Sequence, residues 1–394
     1  MRKTSEEELV ELKEILEKQF PSFSKTVTRN LACLIFALML LLRTYRGWYG
    51  RLTLSGIARC LPIDGTCKSC YKRLSRFLDN ENFKMMNLTK DLARLIYPEE
   101  DLLPVIIDQT AIGDVQVISA NVPTEGRSIP LAISTFEYRK IESSQNLLEE
   151  EFLTSVSSLL PREIKVVQIA DRGYGKGALL QNRLKREELF IIRGRKDVIV
   201  HYKENGKDCH KGLGRLKHSL GRPRRYRNCL YQGRKEIKVD VIVYRGKGFK
   251  EPWYLLVPSG KEDILSTERA VELYRRRMNI EVTFRDFKSH LGLRGLSLRV
   301  RRGERLNRLL GAVVLAYILL LVLGISKMGK SLRKRIEILR SKVRHGTRRT
   351  LSVLTISLFA ISDTFLLTRD NLINILTHCF HQLEREKVFL LPSF

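Results

Sequence analysis

Residues 270–294 read AVELYRRRMNIEVTFRDFKSHLGLR. The stretch holds no proline, and its one glycine, Gly292, lies near the end, where helices stop. Ser266 and Thr267 just before it offer hydroxyl caps and Glu268 an acidic first turn, so a helix is expected. At 100° per residue, Leu273, Ile280, Phe284, Phe287 and Leu291 fall within a sector of roughly 60°, which makes one buried stripe. Tyr274, Arg277, Glu281 and Lys288 fall within a neighbouring sector of roughly 60°. A phenol, a guanidinium, a carboxylate and an ammonium therefore line one edge of a buried helix. Taken alone, a Glu among cations reads as i,i+4 pairing on a solvated face. A carboxylate ringed by cations also suits a site that holds divalent metal and phosphate together.

Upstream segments favour the second reading. Pro104 to Ile107 is a continuous apolar run, as in a buried strand, and ends at Asp108-Gln109-Thr110. Val115 to Ala120 alternates, Ser128 to Tyr138 reads as another strand, and Ser143 to Leu160 as a helix. Lys165 to Ala170 is a second buried strand, ending at Asp171-Arg172-Gly173-Tyr174-Gly175. Helix Gly177 to Arg186 and the short strand Leu189 to Ile192 follow. This order describes an α/β fold, a mixed sheet with helices packed on it. Asp108 and Asp171 sit just past strand C-ends, where α/β sheets place their chemistry. Either one alone would pass for a turn or helix cap. Together with Glu281 they form three carboxylates on separate elements with no Cys or His, a donor set for Mg²⁺ or Mn²⁺. Paired ions about 3.5–4 Å apart would suit in-line phosphoryl displacement, with Asp108, Asp171 and Glu281 as both catalytic and metal-binding residues.

Charge points to the substrate. The 394 residues hold 71 Lys and Arg against 43 Asp and Glu, a net charge of +28, which calls for a polyanionic partner: nucleic acid, with anionic membrane as the rival. Residues 191–250 alone carry 18 Lys and Arg against 5 Asp and Glu. Such clustering marks a binding surface rather than a general solubility device. The segment is rich in glycine, with strand patterns at Ile237 to Tyr244 and Trp253 to Val257, and reads as a β-rich insertion ahead of the Glu281 helix. Seven cysteines and a charged, helical start fit a reduced cytoplasmic setting, and Cys67-Lys68-Ser69-Cys70 has no second pair to complete a zinc site. The apolar runs Leu31 to Leu42 and Leu309 to Ser326 are expected to be core helices, without stable membrane association; Gly311, Ala312, Ala316 and Gly324 suit close helix packing.

Five regions result: a helical N-terminal region 1–100, a first core part 101–192, the basic insertion 193–260, a second core part 261–330 with the Glu281 helix, and a helical C-terminal region 331–394. In the first, residues 52–59 and 69–78 read as short helices about a turn at Pro62 to Gly65, the second rich in Lys and Arg. This suits a helix-turn-helix-like DNA reader, or a plain helical bundle with a basic face. At the far end, Arg333 to Arg349 is basic, and residues 350–367 and 372–383 read as closing helices.

Tyr274-x2-Arg277-x3-Glu281-x6-Lys288, inside YRRRMNIEVTFRDFKS, resembles the Y-R-E-K signature of cut-and-paste DDE transposases from prokaryotic insertion sequences. The resemblance continues in VIIDQT, QIADRGYGKG, EPWYLL and GLRGLSLR, covers roughly residues 50 to 325, and is strongest to the branch found in composite tetracycline- and kanamycin-resistance transposons. It implies an RNase H-like core with a β insertion, and Asp108, Asp171 and Glu281 as the metal-binding triad. It implies that Tyr274, Arg277 and Lys288 hold phosphates at the element end, with Arg285 also counted among the DNA contacts. Trp253 would stack on a flipped base near a hairpin, although a core tryptophan is the alternative. Cleavage would run through that hairpin, the 3′-OH ends would join target DNA, and a homodimer would assemble in the DNA complex. A transposase-derived DNA-binding protein without catalysis is the alternative from another class; a stand-alone nuclease is a further one.

Overall fold

The computed structural model describes residues 9–44, 52–96, 102–136, 145–160, 164–296, 303–337, 351–362 and 369–385. The expectations for Tyr138, for the first residues of the 143–160 helix, for residues 297–299, for most of the basic run 333–349 and for residues 350 and 363–367 lie outside them.

Helices open the chain: α1 Val10–Gln19, α2 Lys25–Thr44, α3 Leu54–Cys60, α4 Cys67–Leu78 and α5 Met85–Ile96. Thr53 and Thr66 cap α3 and α4, their hydroxyls accepting from the Gly56 and Ser69 amides. α4 buries Cys70, Leu74, Phe77 and Leu78, and leaves Lys68, Lys72 and Arg76 exposed at four-residue spacing.

The core sequence of elements follows: β1 Leu102–Ile112, β2 Val115–Thr124, β3 Arg127–Phe136, α6 Gln145–Leu159, β4 Lys165–Ala170, α7 Gly177–Lys185 and β5 Leu189–Arg193. The first three strands form an antiparallel meander, and β1, β4 and β5 run parallel, as the crossover helices require. β2 does not alternate as expected: it is buried continuously from Val117 to Thr124, being an interior strand.

Past β5, the strands β6 Ile199–Glu204, β7 Lys207–Gly212, β8 Arg224–Tyr231, β9 Lys238–Tyr244 and β10 Trp253–Pro258 extend the same sheet. Its order is β3-β2-β1-β4-β5-β10-β9-β8-β6-β7. β10 returns antiparallel to β5, with Leu255 opposite Arg193.

The predicted single helix over 270–294 is two: α8 Thr267–Arg275 and α9 Met278–Ser289. Between them the Arg276, Arg277, Asn279 and Ile280 amides bond three residues back, a tightening of the helix at Arg276–Arg277. The buried stripe is as expected, with Leu273, Ile280, Phe284, Phe287 and Leu291 all buried.

α10 Gly303–Ile325, α11 Lys327–Ile336, α12 Val353–Ser362 and α13 Arg369–Arg385 close the chain. α10 is buried from Leu309 to Gly324 against β3, α2, α12 and α13. A Cβ on Gly324 would come within 2.5 Å of the Val353 carbonyl, so the small residue lets α12 lie close. α2 and α10 are both long and apolar enough to cross a membrane; α2 outruns the twelve-residue apolar run read from the sequence. In this fold Leu31 to Met39 of α2 is buried without interruption.

Candidate active site

The register of β1 and β4 builds the floor of the site. Ile107 lies opposite Ala170, and Ala170 opposite Ile192 of β5. The next residues along these three strands are Asp108, Asp171 and Arg193. Asp171 follows the end of β4, as expected, and its Oδ1 accepts from the Gly173 amide at 2.7 Å. Asp108 is not past a strand end. It lies within β1, which goes on pairing with β2 (Asp108 opposite Ser119) after β4 has stopped. Its Oδ1 accepts from the Gln109 amide at 2.8 Å. Arg193, missed in the sequence, was detectable only through strand register.

α9 faces this floor. Its inner side is riveted to the β2–β3 hairpin and to α10. Asn279 donates to the Thr124 carbonyl at 2.7 Å, the Ser128 amide donates to the Thr283 hydroxyl at 2.9 Å, and Arg127 pairs with buried Asp286 at 2.6 Å. Tyr317 of α10 donates to the same Asp286 at 3.2 Å. These fixings aim Arg277 and Glu281 at the Asp pair.

The guanidinium of Arg277 stands between two carboxylates, 3.3 Å from Asp108 and 2.5 Å from Glu281. Burial pushes the Asp108 carboxyl up to about 6; the Gln109 amide and Arg277 oppose this, while Asp171 and Glu281 add to it. Asp171 and Glu281 thus each lie in electrostatic reach of Asp108. The three predicted carboxylates do not close into one cluster, since no group of three His, Cys, Asp or Glu among the described residues is gathered to hold a metal ion. Glu281 is about half exposed and Asp108 one-fifth.

Tyr274 is buried beside Arg277, and burial pushes its phenol up to about 12, against the pull of Arg277 and Arg193. Trp253, half-buried at the start of β10, meets Tyr274 edge-on at 4.9 Å and Phe249 at 4.7 Å. Tyr244 completes this aromatic cluster, with Arg275 bonded to its hydroxyl. Lys288 lies two turns beyond Glu281, its ammonium pKa lowered by burial and then by Arg294; Arg285 is exposed.

The cations of residues 193–260 divide into two kinds. Arg225 is buried against Asp240 at 2.8 Å, while Arg224 and Arg227 pair with Glu204 and Glu262. Arg222, Arg234 and Lys235 are exposed.

Residues 142–319 match the family model described as transposase DDE domain. The match takes in Asp171, Trp253 and the whole Tyr274-to-Lys288 edge; Asp108 lies before its start. Among solved structures, a piggyBac transposase synaptic complex with hairpin DNA, determined by cryo-EM, is similar with a TM-score of 0.42 at 10% identity, over 98% of this chain and 85% of that one. No curated protein sequence matches the chain. The stretch that folds into β4, β5, β6 to β10 and the Glu281 helix is therefore the one that resembles a transposase DDE domain.

Proposed function

We propose that the protein is a DNA transposase that cleaves element ends and joins them to target DNA. One observation carries the reading: Asp108 and Asp171 follow directly on Ile107 and Ala170, the last paired residues of β1 and β4, and α9 sets Arg277 between Asp108 and Glu281. The family match and the net charge of +28 support it. The order β3-β2-β1-β4-β5, a meander followed by two parallel strands, supports an RNase H-like core with β6 to β10 as its insertion.

The donor set fits a divalent cation. It is all oxygen, and burial, with Asp171 and Glu281 adding to it, raises the Asp108 pKa against the Gln109 amide and Arg277, as a cation at the site would relieve. Asp108, Asp171 and Glu281 would hold Mg²⁺ or Mn²⁺, which supplies Lewis-acid activation of a water or 3′-OH and charge neutralisation at the phosphate. Arg277 exchanges its carboxylate partners for a phosphate oxygen. Tyr274 keeps its proton at neutral pH and donates it in a hydrogen bond to a neighbouring phosphate. Trp253 stacks on an unstacked base when one strand bends into a hairpin. Lys288 and Arg285 meet the backbone further along. The exposed face of α4, with Lys68, Lys72 and Arg76, and the exposed insertion cations extend the DNA track, and two copies act together on paired ends.

Excision from a supercoiled plasmid bearing the ends tests this. Linear backbone and hairpin-ended element are expected; binding of the ends without any strand breakage overturns the reading in favour of a silent DNA-binding protein.

A further inference from the structure

Glu149 of α6 is a carboxylate only 3% exposed, and nothing in the site described above uses it. An ionised group buried this deeply persists only when several donors hold it. Three do: Gln109 Nε2 at 2.8 Å, Gln145 Nε2 at 2.8 Å and Lys176 Nζ at 2.9 Å. Gln145 belongs to the same helix. The other two do not, and their places in the chain are informative. Gln109 follows Asp108 directly, and its backbone amide is the donor on Asp108 Oδ1. Lys176 closes the turn that Asp171 caps, and Tyr174 in that turn accepts from Gln109 Nε2 at 3.0 Å. One side chain thus pins both segments whose amides orient the two aspartates.

We propose that Glu149 is a positioning residue that sets the spacing and orientation of the Asp108 and Asp171 carboxylates through Gln109 and the 172–176 turn; this rests on the reading of those aspartates as metal ligands. Removing a partner behind the ligands of a metal site weakens metal binding by about 10- to 100-fold. Glu149→Gln and Glu149→Asp are the variants, one losing the charge and the other the reach. Two measurements on the full chain decide: Mn²⁺ affinity, read from loss of the free-ion electron paramagnetic resonance signal, and the Mn²⁺ concentration giving half-maximal strand cleavage. Both variants are expected to bind element ends as the wild type does, to need about tenfold more Mn²⁺ in both measurements, and to recover most of their cleavage rate at saturating metal.

Gln109→Met severs the link on the Asp108 side and serves if the Glu149 variants fail to fold. Its loss of Mn²⁺ affinity should be several-fold, and combined with Glu149→Gln the loss should fall short of the two single losses multiplied together, because the Gln109–Glu149 link is common to both while the Lys176 link belongs to Glu149 alone. Unchanged Mn²⁺ affinity in every variant, or a lower melting temperature alone, overturns the proposal and leaves Glu149 a fold-stabilising residue. Absence of Mn²⁺ binding in the wild type overturns the metal reading itself, which separates the two failures.

Discussion

Replacing Arg225 by alanine should make the protein easier to unfold while leaving its grip on DNA unchanged. Arg225 is one of the cations that make residues 191–250 so basic, and charge counting assigns it to the DNA surface. Its side chain is 3% exposed, and its partner Asp240 is 4% exposed at 2.8 Å. A second guanidinium nitrogen donates to the Leu265 carbonyl at 2.7 Å, which ties β8 to the segment that launches α8. Asp240 is held further by the Asn228 amide and the Ser259 hydroxyl. Truncating the arginine leaves a buried carboxylate short of its cation, a loss of about 3–5 kcal/mol. Equilibrium urea denaturation should show that loss, and Asp240→Asn in the same chain should restore part of it because the stranded charge is gone. In parallel, the salt dependence of end binding should keep its wild-type slope. Neutralising Arg222, Arg234 and Lys235 together should do the opposite, flattening the slope by about one unit for each phosphate no longer neutralised, at little cost in stability. Arg225→Ala that keeps stability within about 1 kcal/mol and flattens the salt slope would refute the reasoning.

Three further outcomes are expected. Asp108→Asn, Asp171→Asn and Glu281→Gln should each retain end binding in a gel-shift assay and lose strand cleavage by several orders of magnitude; wild-type cleavage by any one removes that residue from the metal site. Trp253→Ala should spare the first nick and slow hairpin formation on a pre-nicked end by roughly 5- to 150-fold, with Trp253→Phe partly restoring it; equal hairpin rates would leave Trp253 a packing residue of the aromatic cluster. Asp286→Ala should strand Arg127 and free α9 from the β2–β3 hairpin, costing about 3–5 kcal/mol in urea denaturation, whereas an unchanged midpoint would mean that Thr283 and Asn279 suffice to hold the helix.

The core strands were readable because continuous apolar runs bounded by turn residues have few other uses. Lys165–Ala170 falls on the predicted residues, and the succession of strands and helices from β1 to β5 is as expected. The end of β1 was misjudged, since Asp108, Gln109 and Thr110 look like a turn while the hairpin with β2 keeps them extended. The break at Arg276–Arg277 left no mark in the periodicity, because every residue there is a competent helix former. Ion pairing by the cations of residues 193–260 is invisible for a similar reason: Arg224 and Arg225 find Glu204 and Asp240 on other strands and Arg227 finds Glu262 in the turn after β10, at separations no local pattern reports. Glu149 was hidden in plain sight, one of three successive glutamates that read as a solvated helix face. Only the packing of α6 on the sheet shows that one of the three is a buried anchor.

The chain leaves the core at Arg193 and comes back one strand away, with Leu255 paired opposite the very residue at which it departed. Departure and return are therefore neighbours whatever lies between them. Closing such a loop costs little more as it lengthens, since the entropy grows only with the logarithm of its length. Strands can be added to or removed from the β6–β9 stretch without moving Ile107 and Ala170, the paired residues that Asp108 and Asp171 follow. The fold in this way separates what must stay fixed from what is free to diversify: the ends of β1 and β4 keep their register, while the strands beyond β10 can be remodelled.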